Sequence, residues 1–249
     1  MHQYSLDRVL GLFDLPAPLL QWIDDGVGNV LPAPVSIAAW AVLGGVVCLE
    51  LYRVTSPQER ISRIKQAAKA AQQELSSYDG EMEGAWPLMR SMLSLSLKRV
   101  GIVIPATLLA AYPVIALLVW MSSAYGHVFP ARGEGVAVEV AAPLEGRWLD
   151  GGSEEPPHVQ ARQPDGRVIL ELPLAAAVPI LHKRQWWNRL MENPAGYLPD
   201  DAPVDEVRIG LPRRELHAIG PSWMRGWEAI FLPVLFIAAL TYKTIRRID

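Results

Sequence analysis

Glu50 and Arg53 stand at the end of the apolar stretch "VSIAAWAVLGGVVCLELY" in this 249-residue sequence. A carboxylate inside a span usually has a partner, and a guanidinium about one helical turn further along can supply it. The chemistry this spacing suggests is ionic pairing, with no bond made or broken. Other reactive groups point the same way. His127, His158, His182 and His217 are widely separated and lack metal-ligand spacing. Cys48 is the only cysteine, which excludes an intrachain disulfide and a thiolate cluster, and its apolar surroundings suit a buried, inert thiol. "GEGVAVEV" has neither a Walker lysine nor a dinucleotide pattern, and Ser153 lacks the context of a nucleophile elbow. Asp200, Asp201, Asp205 and Glu206 read as a solvated acidic loop, with cation binding as the alternative. The expectation is a protein that is not an enzyme, with no catalytic residue, metal or cofactor.

Three apolar blocks dominate the chain: Val35 to Tyr52, Val100 to Met121 and Trp223 to Tyr242. At about 1.5 Å per residue, blocks of roughly 18–22 residues suit a hydrocarbon core. Pro105, Pro113 and Pro233 are tolerated in such spans. Three buried helices of a water-soluble protein are the alternative, but the blocks lack a continuous polar face. The segment between the first two blocks carries Arg53, Arg60, Arg63, Lys65, Lys69, Arg90, Lys98 and Arg99, and the tail adds Lys243, Arg246 and Arg247. Only Arg8 precedes the first block, against Asp7, Asp14, Asp24 and Asp25. The positive-inside rule then puts the N-terminus outside and the C-terminus in the cytoplasm of an integral membrane protein, best matched to a bacterial inner membrane. Trp223, Trp227 and Tyr242 suit membrane interfaces. No cleavable signal peptide is evident. "LDRVLGLF" and "PLLQWIDDGV" read as amphipathic pieces in the outer interface or as a loosely ordered tail. A net charge of −3 gives no sign of nucleic-acid recognition.

Between the first two spans lies "SPQERISRIKQAAKAAQQEL". Ser56 as cap, Pro57 at the first helical position and Glu59 in a capping box predict a helix start. Ile61, Ile64, Ala68, Ala71, Leu75 and Tyr78 then form a coiled-coil seam. Asp79-Gly80 breaks the pattern and Gly84 loosens it. A second helical stretch from Pro87 runs into span two, making a helical hairpin. Met82, Met89 and Met92, with Ser91, Ser94 and Ser96, fit a surface for varied apolar partners or ordinary gap-filling packing. A solvated linker hairpin is the alternative for the whole insertion.

Residues 122–222 change character. "VAVEVA" and "DEVRIGLP" read as strands, and "HVQARQPDGRVILELPL" as a hairpin turning at Pro164-Asp165-Gly166. "ILHKRQWWNRLMENPAGYL" reads as a basic-aromatic helix, with Trp186 and Trp187 on the outer leaflet or a partner, or as a helix closing one end of a β-core. The expected fold class is a membrane protein with three transmembrane helices, a cytoplasmic helical hairpin and a β-rich extracytoplasmic domain. Its boundaries are residues 1–34 (outer amphipathic segment), 35–53 (first span), 54–99 (hairpin), 100–121 (second span), 122–222 (β-rich domain), 223–242 (third span) and 243–249 (cytoplasmic tail).

This order of elements, with "LYRVTSPQERISRIKQAAKAAQQEL" and "LMRSMLSLSLKRVGIVIPATLLAAYPVIALLVW", resembles the YidC/Oxa superfamily of membrane-protein insertases. The three-span branch, which includes archaeal YidC-like proteins and the insertase-like subunit of the ER membrane protein complex, is the nearest pattern. The likeness covers roughly residues 35–121 and 223–249. It implies a groove open to cytoplasm and lipid that eases a client's hydrophilic flank across the bilayer. Carried over residue by residue, the groove would hold Glu50, Arg53, Met89, Met92, Ser94, Ser96, Arg99, Thr107 and Tyr112. The implied partners are the lipid bilayer and nascent membrane proteins, with the ribosome as a further candidate; other membrane subunits replace clients if the scaffold serves assembly in a multi-subunit inner-membrane complex. Two features depart from the pattern. Bacterial members carry an arginine well inside the groove, whereas the only arginine within these spans is Arg225, at the outer end of the third, where Glu228 is its expected partner. The outer segment, of about a hundred residues, is also larger than three-span members usually have.

Overall fold

The computed structural model describes residues 6–80, 82–152 and 155–246. Ser153 and Arg247 lie outside the described residues, as does the side chain of Met82. The chain forms two compact units, Met1–Ile37 with Ala116–Phe231, and Ala38–Ile115 with Leu232–Asp249.

In the first unit, six strands make two three-stranded antiparallel sheets: β1 (Val138–Val140), β2 (Glu145–Leu149), β3 (His158–Arg162), β4 (Val168–Pro173), β5 (Ile180–His182) and β6 (Glu206–Ile209). The orders are β1-β6-β5 and β2-β3-β4. β3 and β4 pair with a register shift at Ala161/Arg162. Their turn closes through Gly166, whose φ of 85° favours a residue without a Cβ. Leu170 and Leu172 alternate inward on β4, as do Val207 and Ile209 on β6. With Val159, Ala161, Leu174, Leu181 and Leu198 they form one core fed by both sheets. Each large apolar side chain so buried contributes about 1.5–3 kcal/mol.

The N-terminal segment belongs to this unit. Asp7 and Tyr197 exchange backbone hydrogen bonds, and the Phe13 amide donates to the Leu190 carbonyl at 2.9 Å. Helix α1 (Ala17–Gly28) follows, with Pro18 in its first turn. The basic-aromatic stretch is not a helix. Ile180–His182 pairs with β6 as a strand, and only Trp186–Arg189 turns, as a single 3-10 turn capped reciprocally by Gln185 and Asn188. Strand pairing with β6 occupies the start of the stretch, and Pro194 and positive-φ Gly196 end any helical run.

Three helices are long and apolar enough to cross a membrane: α2 (Ala33–Thr55), α4 (Met82–Tyr125) and α5 (Glu228–Arg246). In the second unit, α2 approaches α5 where it has no side chain. A Cβ on Gly45 would lie 3.4 Å from Leu235 and 3.5 Å from the Ala239 amide. Helix α3 (Gln58–Ser76) follows α2 almost directly. Pro57 holds its N-cap position without a side-chain cap, one residue later than the Ser56 expectation. Ile61 is buried, and Ile64, Ala68, Ala71 and Leu75 are half-buried, so these five seam residues share the less exposed face, whereas Tyr78 lies past the end of α3 and is exposed. α4 begins at Met82, so Pro87 lies inside it and no break separates the returning arm from the apolar run. Pro105 would crowd the carbonyl four residues back, and the residue there is Gly101.

The third apolar block also starts later than expected. Trp223 sits in a 3-10 turn (Ser222–Met224) and is exposed, whereas Trp227 is buried against Phe231, ring centroids 5.8 Å apart. Arg225 precedes α5 and pairs with Glu215 at 3.1 Å rather than with Glu228.

Candidate functional site

Glu50 is the centre of a polar cluster on α2 and α5. Arg53 reaches it from one turn on, with Nε at 2.9 Å and Nη2 at 2.7 Å from Oε2. From α5, the Tyr242 hydroxyl donates to Oε1, and Arg246 donates to the same oxygen from Nε and Nη2 at 3.1 Å. The guanidinium of Arg246 also lies over the Tyr242 ring, 6.0 Å from its centroid. Charge-assisted bonds of this kind are stronger than neutral ones. Two guanidiniums around one carboxylate leave a net positive charge at this end of α2 and α5. The Glu50 side chain keeps 28% of its surface exposed. The pairing with Arg53 follows from sequence spacing. Tyr242 and Arg246 join from nearly two hundred residues away, where spacing gives no signal.

The remaining expected site residues lie on α4, and the helix sorts them. At 3.6 residues per turn, Met89, Met92, Ser96, Arg99 and Thr107 fall within an arc of about 80°, while Ser94 and Tyr112 sit about 140° round from Met89. Met89 and Met92 are half-buried, and Ser96, Arg99 and Thr107 exposed. Ser96 and Thr107 satisfy their hydroxyls by donating to the carbonyls of Met92 and Val103, each at 2.9 Å. This bond lets a hydroxyl stand on an apolar helix without an unmet donor. Ser94 lines a separate open concavity of about 510 Å³ with Arg90, Leu93, Leu97 and Lys98.

The first unit holds a second polar cluster, which sequence reasoning missed. Asp24 on α1 is buried and accepts from the Ser36 hydroxyl at 2.6 Å and the Tyr125 hydroxyl at 2.5 Å. Arg214 lies over the Tyr125 ring, 4.9 Å from its centroid, and donates to the Ala124 carbonyl at 3.2 Å. Three segments thus meet on one carboxylate, with Arg214 packed on one of its donors. Of the acidic loop, Asp205 pairs with Lys183 at 2.9 Å. Among the described residues no three His, Cys, Asp or Glu side chains converge to hold a metal. Trp186 is 81% exposed and Trp187 partly so.

Three membrane-length apolar helices and two small antiparallel sheets define the class of protein, one compatible with integral membrane residence. No family model matches the chain, and no curated protein or solved structure was found to match it.

Proposed function

We propose that this protein is a three-span inner-membrane protein that receives nascent membrane proteins on its cytoplasmic hairpin, as a YidC/Oxa-like insertase or chaperone. The N-terminus and the sheet unit face outward, and the α3–α4 hairpin and C-terminus face the cytoplasm. The carrying observation is α4 itself. It leaves the α3 turn and continues unbroken into the apolar run, presenting Met89, Met92, Ser96, Arg99 and Thr107 on one face. Flexible methionines suit varied apolar segments, and hydroxyls and cations partway along suit a client's hydrophilic flank. Carrying a charge through hydrocarbon costs at least about 2.5–3.5 kcal/mol, and the Glu50 cluster, net positive, favours acidic flanks over basic ones.

The test is photo-crosslinking during synthesis of membrane proteins. Crosslinkers replacing Met89, Met92, Ser96 or Arg99 capture nascent chains several-fold better than crosslinkers at Ser91 or Lys98 on the opposite side of α4. Equal capture from both faces overturns the reading.

A second reading, a fixed assembly subunit of an inner-membrane complex, is favoured by one observation. Glu50, the carboxylate inside α2, is held by Tyr242, Arg53 and Arg246 rather than left open to a client. Gentle-detergent purification separates the two. Partners at constant ratio support the subunit, and a spread of substoichiometric membrane proteins with ribosomal components supports the insertase.

A further inference from the structure

The Glu50 cluster carries more positive charge than its one carboxylate can balance. Glu50 is the only acid in α2, and Glu228, the only one in α5, lies at that helix's other end. Arg53 and Arg246 each direct Nε and Nη2 to Glu50, while Nη1 of each has no partner among the described residues. Their side chains stay 43% and 46% exposed. A guanidinium carries five N–H donors, so the pair keeps open donors and one net positive charge. An anion with several acceptor oxygens answers both.

An apolar groove runs up to this cluster within the helical unit. Val42, Val46, Ile237, Ala238, Tyr242 and Ile245 line a space of about 370 Å³ between α2 and α5. Tyr242 belongs to both features, lining the groove while its hydroxyl donates to Glu50. On α2, Val42, Val46, Glu50 and Arg53 follow four- and three-residue spacing, which puts them on one helix face. Val42, Ile237 and Ile245 are exposed, so the groove stands open.

We propose that this groove seats one anionic phospholipid, with an acyl chain between α2 and α5 and the phosphate on Arg53 and Arg246. The dimensions fit. At about 1.5 Å per residue, the rise from Val42 to Arg53 is about 16 Å, close to one leaflet's half of a hydrocarbon core about 30 Å thick. A soluble anion would leave the apolar groove empty, and a zwitterionic lipid would bring a cation to a site already positive. Basic groups between spans on the cytoplasmic side also meet the leaflet that carries anionic lipid. The site rests on α2 and α5 being spans in the orientation proposed above, and not on the insertase role.

The test uses the full chain, purified in detergent with equal amounts of phosphatidylglycerol and phosphatidylcholine of identical acyl chains. Native mass spectrometry counts the lipid retained. One phosphatidylglycerol is kept per chain, over phosphatidylcholine by about fivefold or more, the effect of roughly one net charge near a membrane surface. Arg246→Gln, checked for native melting, neutralises the cluster and brings the ratio close to one. Lys243→Gln removes the same charge from α5 outside the cluster and leaves the ratio unchanged. Ala238→Leu, which fills the groove, lowers phosphatidylglycerol retention without touching either arginine. Should a variant not fold, the unaltered protein decides, through its lipid ratio and through soluble glycerol 3-phosphate, which does not displace the lipid. Equal retention of both lipids, an unchanged ratio in folded Arg246→Gln, an equal loss in Lys243→Gln, full retention in folded Ala238→Leu, or displacement by glycerol 3-phosphate overturns the site alone. A chain that stays in solution without detergent overturns the span reading with it.

Discussion

Leucine plays opposite parts in the two units of this chain. In the sheet unit Leu170, Leu172, Leu174 and Leu181 are sealed from solvent, and on β4 Glu171, between two of them, lies on the less buried side. In the helical unit Leu97, Leu108, Leu109 and Leu240 are half exposed or more, while Glu50, Arg53, Tyr242 and Arg246 turn toward one another. The first arrangement is what water selects: apolar area leaves the solvent and defines a core. The second is what hydrocarbon selects, since lipid gives apolar side chains no reason to hide and polar groups strong reason to find each other. The same residue types thus mark two different surroundings.

Substitutions sharpen that contrast. The largest effect belongs to the sheet core. Leu172→Ala lowers stability by about 2–5 kcal/mol, read as an early loss of sheet signal on thermal melting in detergent. Next comes the close approach of α2 to α5. Gly45→Leu forces a side chain toward Leu235 and Ala239 and costs about 1–3 kcal/mol, read as weakened melting of the helical signal. Leu108→Ala, with 67% of its surface exposed, changes stability by less than about 0.5 kcal/mol. A loss from Leu108→Ala as large as from Leu172→Ala would break the contrast.

The smallest effect is a pH dependence confined to the sheet unit. Burial is the main cause holding His127 below its ordinary value of 6.5, helped by the charge of Arg213 and opposed by Glu228. The folded state therefore takes up its proton later than the unfolded chain. His127 contributes stability above about pH 6.5, and that contribution is lost as pH falls through the lowered folded value. Between pH 7.5 and 5 the melting temperature falls more steeply in the unaltered protein than in His127→Gln.

What was legible in the sequence was local. The turn at Pro164-Asp165-Gly166 announced β3 and β4, because a positive-φ glycine between alternating strands has few other uses. Glu50 and Arg53 announced their pairing through a three-residue spacing. The apolar blocks announced the three long helices, though not that the second runs unbroken from Met82. What stayed hidden depended on distance along the chain. Tyr242 and Arg246 reach Glu50 from the far end of the sequence, and Asp24 gathers Ser36 and Tyr125 from two other elements. The stretch around Trp186 misled for the same reason. Its local pattern reads as a helix, but its first residues pair with β6 and its last give Tyr197 to a bridge with Asp7.

The proposed role of the hairpin and helices is to carry a client's flank into the bilayer. The most direct measurement is insertion into liposomes containing only the purified protein, using a single-span client with a short N-terminal hydrophilic flank. The expected result is several-fold more protease-protected client than in protein-free liposomes, with a reduction on replacing Met89, Met92 and Arg99 together. Insertion no greater than in protein-free liposomes would contradict it.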